Sequence, residues 1–320
     1  MTTTAGRLCS LLALLPLAGC ASRQRTPPAE PDVLLPPGDG QVQVSTPDAA
    51  RAKLRAISGK RVQLWVVVHV RAPKHLRPDG SIDEEALVAG AVSDVDAVVE
   101  GGGDLMMLIN SSCPMPLYER VLSAVRTRHP HFPLGISALS YGPENLTEGA
   151  RLAEKFGAQV TWTEVAPGTQ FEFEEEDGRY VRAAPTRRAL AREVMQRASG
   201  RMLVSGVHMK YTRPLDHPDF SEAMRAALGA MDGINVTGPK TAQLADLGRI
   251  RLARELSGGF PMGLASGVSA ENVAEVMPFV DYLIVGTSLK DPADARRTSR
   301  ERVRALRERM DSLGGGLRGP

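Results

Sequence analysis

The stretch GLASGVSAENVAEVMPFVDYLIVGTSLKD, Gly263 to Asp291, decides how the rest of the chain is read. An apolar run ends in Ser266-Gly267, a helical segment follows, and a second apolar run ends in Gly286-Thr287-Ser288. Short apolar runs alternating with helices are the pattern of parallel strands covered on both faces. Each run here delivers a turn of small residues at its C-terminal end. Glycine lets a backbone approach an anion closely, and successive amide hydrogens at such a turn point toward it. Two such turns side by side predict a phosphate cradle made of Ser266, Gly267, Val268, Gly286, Thr287 and Ser288. The plainer alternative is that these glycines only make tight strand-to-helix turns.

The same alternation extends outward through most of the chain. Strands are expected at Val62–Val70, Leu105–Asn110, Leu134–Leu139, Gln159–Val165, Met202–Lys210, Gly233–Thr237, Pro261–Ser266 and Tyr282–Val285. Amphipathic helical patterns lie between them, among them Glu85–Val99, Glu144–Phe156, Arg187–Arg197, Ala242–Leu256 and Ala270–Val276. Eight β/α units over about 250 residues predict an α/β fold, a (β/α)8 TIM barrel, whose loops after the last two strands are where phosphate sites form. A doubly wound open sheet is the alternative, but no Gly-x-Gly-x-x-Gly pattern follows the first strand. One segment interrupts the rhythm: TQFEFEEEDGRYVRA, Thr169 to Ala183, alternates at period two about Asp177-Gly178 and predicts a hairpin at the barrel mouth.

Strand parity nominates the inward side chains. On the Met202–Lys210 run, Gly206, His208 and Lys210 share one face and Leu203, Val207 and Met209 the other. Trp162 shares a face with Glu164, and His69 with Trp65 and Val67. His69, Asn110, Glu164, His208 and Lys210 are therefore the candidate catalytic residues. A histidine titrates near neutrality and suits proton transfer. Lys210 is open to three uses: an anion contact, an ion pair with Glu164 across neighbouring strands, or a Schiff-base amine activated by burial. No spacing motif announces a metal site, and no cofactor is expected. Cys113 lies in a proline-bounded loop with no visible base.

Composition bounds the partners. A net charge of +2 and an aromatic content of 4% give no footprint for nucleic acid. The N-terminus differs from the rest: Arg7 precedes LCSLLALLPLAGC, an apolar stretch too short to span a bilayer as a mature helix. Its Leu17-Ala18-Gly19-Cys20 ending resembles the lipobox of bacterial lipoprotein signals. That resemblance implies cleavage before Cys20, lipidation of Cys20, and anchorage in the cell envelope, in the outer membrane facing the periplasm. The expected organisation is a signal peptide over 1–19, a lipidated and proline-rich tether over 20–58, the barrel over 59–312 and a tail over 313–320. Within the tether, Asp48 to Leu54 can start a short helix against the domain. With Cys9 in the signal and Cys20 lipidated, only Cys113 remains, so no intrachain disulfide is expected.

The motifs also carry a family resemblance. VVVHV, FPLGISAL, VHMK, INVTG, SGVSAENV and VDYLIVGTSLK resemble the BtpA family, named for a photosystem I biogenesis factor and containing the SgcQ-type proteins, from about Val62 to Met310. The resemblance implies a barrel of the ribulose-phosphate-binding type and a phosphate cradle, and little about reaction. The chain departs from the family pattern at several mouth positions: Ile109 stands where a carboxylate is usual, Leu139-Ser140-Tyr141-Gly142 replaces a polar run, and Trp162, Glu164, Gly206 and Tyr211 replace other polar residues. Two functions are therefore expected as alternatives: a tethered barrel binding a phosphorylated or anionic small molecule, with catalysis unproven, or a non-catalytic scaffold lipoprotein. A homo-oligomer or a protein partner is compatible with either.

Overall fold

The computed structural model describes residues 45–138, 143–166, 169–175, 178–183, 200–228 and 230–316, all within the compact unit that starts at Gln41. Numbered along the chain, the strands are β1 (Gln63–Val70), β2 (Leu105–Asn110), β3 (Leu134–Ser137), β4 (Val160–Thr163), β5 (Phe171–Glu174), β6 (Tyr180–Arg182), β7 (Met202–Gly206), β8 (Thr212–Pro214), β9 (Gly233–Thr237), β10 (Met262–Ala265) and β11 (Tyr282–Val285). Eight of them close a parallel barrel in the order β1-β2-β3-β4-β7-β9-β10-β11. The described helices are α1 (Pro47–Ser58), α2 (Glu84–Glu100), α3 (Met115–Arg128), α4 (Pro143–Phe156), α5 (Phe220–Ala227), α6 (Leu247–Leu256), α7 (Val273–Val276) and α8 (Arg300–Ser312). The helix expected at Arg187–Arg197 lies outside the described residues. So does Asp177 of the hairpin turn, although β5 and β6 pair antiparallel as expected, with Glu172 opposite Arg182. The third strand of that small sheet, β8, pairs with β5.

The apolar residues divide by parity into two buried sets. Leu64, Val66, Val68, Met106 and Leu108 face outward from the strands and pack under the helices. Trp65, Val67, Leu105, Met107, Ile109, Val204, Tyr282 and Ile284 fill the barrel interior. Trp65 and Tyr282 stack there with centroids 4.0 Å apart. Their bulk fits because β9 and β10 carry Gly233 and Gly263; a Cβ at Gly263 would lie 2.1 Å from the Tyr282 ring.

The N-terminal end of the barrel is closed by α1, which contains the short helix expected from Asp48 to Leu54 and packs it against the barrel. Thr46 caps this helix by accepting from the Ala49 amide, and Gly59 ends it with φ 69°. Leu54 and Ile57 join the interior cluster, and the Leu54 carbonyl accepts from Gln63 Nε2 at 2.6 Å. Among the described residues, packing thus begins at Ser45, because the interior needs these side chains to exclude water. At the other terminus, packing continues past residue 312: the Gly315 carbonyl accepts from the Val62 amide at 3.2 Å. Residues 317–320 lie outside the described residues.

A repeated device tightens the same end. An acceptor placed just before every second strand takes an amide of the strand before it. Asp104 takes Leu64 N, Gln159 takes Leu134 N, Asp232 takes Leu203 N and Asp281 takes Met262 N, at 2.8 to 2.9 Å. The three aspartates are ion-paired as well, to Lys60 and Arg307, to Lys53, and to Arg51 and Arg254.

Candidate functional site

At the opposite, C-terminal end the barrel opens into a cavity of about 640 Å³. Its floor is apolar, built from Val67, Ile109, Trp162, Met209, Ala265 and Ile284. Its polar wall carries His69, Arg71, Glu164, Lys210 and Lys290, with the turns 266–269 and 286–288 on one side.

Those two turns are fastened together. Ser288 Oγ donates to the Val268 carbonyl at 2.6 Å, and Arg302 donates to the Ser288 carbonyl. Asn272 bridges the first turn, accepting from the Ser269 amide at 2.9 Å and donating to the Gly267 carbonyl at 2.8 Å. Ser266 and Gly267 both have left-handed backbones, with φ 74° and 72°. For serine this is a costly conformation, of a kind that concentrates at functional sites. Gly267 admits no Cβ, because one would sit 2.1 Å from Leu244 N. In the second turn, Thr287 and Ser288 open a short 3-10 segment, so their N–H groups precede any helical acceptor. All six residues expected to form the cradle line this one cavity.

Lys210 reaches the first turn directly. Its Nζ donates to Ser266 Oγ at 3.0 Å, and its own amide donates to Thr237 Oγ1 at 3.1 Å. The ion pair with Glu164, one of the three uses open to this lysine, is not formed; the ammonium is committed to the turn instead. Burial pushes the Glu164 carboxyl up to about 7, against the opposing pull of the Lys210 charge. Near neutral pH the cavity therefore holds one partly protonated carboxylate beside the cationic side chains of Arg71, Lys210 and Lys290.

Two expected catalytic residues are placed elsewhere. The inward face read for His208 fails because β7 stops at Gly206 and His208 itself turns left-handed, with φ 49°. Period-two alternation ends there. Met209 folds inward under Gly206, where any Cβ would clash with it, and enters the interior. His208 faces out, bonded through Nε2 to the His217 carbonyl at 2.7 Å and edge-on to Phe220. Burial there lowers its pKa. This separates it from His69 and Glu164, so a two-histidine, one-carboxylate metal set is not assembled; among the described residues no group of three or more His, Cys, Asp or Glu is placed to hold one. Asn110 is spent on a loop: its Oδ1 accepts from Cys113 N at 2.8 Å and its Nδ2 donates to the Cys113 carbonyl at 2.9 Å. The short Ser111-Ser112-Cys113 turn after it, needing just such a cap, was the available signal. Cys113 is buried and its thiol pushed up to about 11, which leaves it inert. Cys20 and Tyr141 lie outside the described residues.

Sequence reasoning missed Ser111 and Arg71 as cavity residues, whereas Trp162, placed inward with Glu164 by parity, does line it. Trp162 Nε1 and Ser111 Oγ are shut off from solvent and have no hydrogen-bond partner among the described residues.

With this geometry in view, comparison with known proteins gives a consistent answer. A family model described as the BtpA family matches residues 181–312. The carboxy-terminal half of this barrel is BtpA-like. Among similar chains, an uncharacterised protein of Thermococcus kodakarensis is 26% identical over 258 residues, 75% of this chain and 94% of its own length. The photosystem I biogenesis protein BtpA of Synechocystis is 29% identical over 90 residues, 28% of this chain and 31% of that one. In solved structures, thiamine phosphate pyrophosphorylase from Pyrococcus furiosus superposes with a TM-score of 0.50 at 14% identity, over 80% of this chain and 98% of the other. Tryptophan synthase from Mycobacterium tuberculosis does so with a TM-score of 0.50 at 14% identity, over 84% and 96%. Such distant likeness establishes the TIM-type barrel. The BtpA-like segment spans β7 to α8 and so contains Lys210 and both small-residue turns; Glu164, Trp162 and Ser111 lie before it.

Proposed function

We propose that this BtpA-like barrel binds a phosphorylated or otherwise anionic small molecule, with the anionic group seated between the turns at 266–269 and 286–288. One observation carries the reading. The cavity sets Arg71, Lys210 and Lys290 against Glu164, the one carboxylate among its described lining residues, and the Lys210 ammonium is tethered to the first turn through Ser266. Fixed positive charge beside glycine-permitted backbone amides is the chemistry of an anion site. The size of the cavity favours an organic anion over a bare ion, since 640 Å³ falls in the range of small-molecule pockets. Binding is what the geometry supports; two of the five side chains expected to do chemistry are consumed by structural bonds. The lipobox-like start supports a location for this activity at a membrane surface, through a lipid on Cys20.

The test is thermal denaturation of the full chain with inorganic phosphate, sulfate and simple phosphomonoesters. A ligand at a hundredfold its Kd adds about 2.7 kcal/mol, a rise of roughly 5–10 °C for a domain of this size. Thr287 is exposed, so Thr287→Asp places a repelling charge on the second turn without disturbing packing. It is expected to abolish the rise. A rise that survives Thr287→Asp, or no rise with any anion, removes the proposal and leaves the scaffold reading.

A further inference from the structure

Resting on the anion reading, the surroundings of the two turns show what a bound phosphate must carry with it. A second cavity, of about 270 Å³, adjoins the first, and His69 and Arg71 line both. Arg71 follows β1 directly, the 286–288 turn follows β11 directly, and β1 and β11 are paired neighbours. Adjacent strands lie about 4.8 Å apart, so the second cavity begins one strand beyond the turn. Its charged wall holds Arg71, Arg296 and Arg297 against Asp94 and Asp294. Both aspartates are already paired. Asp94 takes the Thr298 amide at 2.7 Å and lies 3.3 Å from Arg297 Nε, and Asp294 lies 2.8 Å from Arg296 Nε. That leaves Arg71 in excess: it is exposed and makes no side-chain hydrogen bond or ion pair with the described residues. The terminal nitrogens of Arg297 make no hydrogen bond among them either.

Gly90 is a separate sign that this space is kept open. It is buried in the interior of α2, where glycine is less favourable than alanine, and it lines the second cavity. A Cβ there would lie 3.0 Å from Arg297 Nη1 and 3.3 Å from His75 Cε1, so the missing side chain gives the guanidinium its seat. A ligand held at the turns has two ways to extend. Across the mouth it meets the carboxyl of Glu164, which follows β4, four places from β11 in the ring of eight. Along the β1 side it meets Arg71 and Arg297.

We propose that the second cavity is a carboxylate subsite and the ligand a phosphorylated carboxylic acid, with its phosphate on the turns and its carboxylate on Arg71 and the terminal N–H groups of Arg297. An arginine fork matches a carboxylate in shape as well as in charge. Lys210 and Lys290 line only the first cavity and stay with the phosphate. Glu164 repels a second anionic group from the far wall and so sets which way the ligand lies. A phosphate ester with a neutral far end uses the turns alone and leaves Arg71 in water.

Calorimetric titration of the full chain with two matched pairs tests this: glycerol 3-phosphate against 3-phosphoglycerate, and sorbitol 6-phosphate against 6-phosphogluconate, with inorganic phosphate as reference. Within each pair a hydroxymethyl end is exchanged for a carboxylate, and the pairs differ in the length of the spacer. At least one acid is expected to bind about tenfold more tightly than its neutral partner. Arg71→Gln should erase that difference while leaving glycerol 3-phosphate and inorganic phosphate unchanged. Gly90→Ala, which presses on Arg297, is expected to reduce the difference in part. Acids that bind no more tightly than their neutral partners overturn this inference and leave the anion site standing. So does an Arg71→Gln loss that falls equally on inorganic phosphate, because Arg71 then serves the turns. Binding of none of the five compounds overturns both readings. If Arg71→Gln does not fold, the native comparison decides together with Gly90→Ala, which should weaken only the acids.

Discussion

At the scale of single residues, Glu164 is the clearest departure from ordinary behaviour. Its carboxyl ordinarily titrates near 4.5, and burial lifts it to about 7 in the fold. A proton is thus bound more tightly in the native state than in the unfolded chain. Stability is unaffected by this group below about pH 4.5, declines as pH rises through the interval to 7, and is lowest above it. Glu164→Gln removes the charge that must be desolvated. The variant is expected to be more stable than the native protein by about 3 kcal/mol at pH 8 and equal to it at pH 4. Urea unfolding at the two pH values measures this directly, and a difference that does not grow with pH would show that the carboxyl is solvated. The residue was found by parity, because β4 is regular as far as its end. Parity failed at His208 for the converse reason. Nothing in VHMK announces that a histidine will adopt φ 49°, and one left-handed residue exchanges inside for outside.

At the scale of elements, the turns after β10 and β11 are both glycine-bearing, and their glycines serve different ends. Gly267 is required by the backbone: its φ is 72°, and a Cβ would meet Leu244 N at 2.1 Å and Gln243 C at 2.3 Å. Gly286 has no left-handed φ, and a Cβ there would touch Val67 Cβ at 3.2 Å and approach His69 Cε1 at 3.7 Å. Gly267→Ala is therefore expected to destabilise the fold by about 3 kcal/mol or more. Gly286→Ala should cost about 1 kcal/mol or less and act mainly on anion affinity, by placing a methyl group in the cavity. Equal losses of stability in the two variants, read from urea midpoints, would contradict this division. The alternation of strands and the paired turns were legible in the sequence, since burial on both faces writes a strand as an unbroken apolar run. The acceptors preceding alternate strands, as in GGGD-LMML, AMD-GIN and FVD-YLIV, form no pattern that the sequence reading picked out, because only the closed barrel shows each reaching its neighbour's amide. Asp232 is the most enclosed of them, fully buried and bonded to Ser45, Lys53 and Leu203. Asp232→Ala leaves the Lys53 ammonium unpaired and is expected to cost about 3–5 kcal/mol.

At the scale of the whole barrel, its two ends are built for different purposes. The N-terminal end is plugged by Leu54 and Ile57 of α1 and laced by buried ion pairs; the C-terminal end is left open, its cavity walled by Arg71, Glu164, Lys210, Lys290 and the two small-residue turns. Stability resides at one end and ligand chemistry at the other, as barrels of this kind are generally divided. The dependence on α1 was the part least visible beforehand. Its twelve residues follow a proline-rich stretch, and only the interior they fill distinguishes a plug from the end of a tether. Two truncations decide how far that division goes. A chain starting at Ser45 keeps the Thr46 cap, the Ser45–Asp232 bond and the packing of Leu54 and Ile57, and its urea midpoint is expected to match that of the full chain within error. A chain starting at Gly59 loses Leu54 and Ile57, uncovers the stacked Trp65–Tyr282 pair to water, and strips Asp232 of Ser45 and Lys53. Loss of the two interior side chains alone is worth about 4–8 kcal/mol on the scale of large-to-small core substitutions, comparable to the whole stability of a typical domain. This shorter chain should fail to unfold cooperatively. If it retains a sharp transition, the interior is sealed without α1, and the helix belongs to the tether after all.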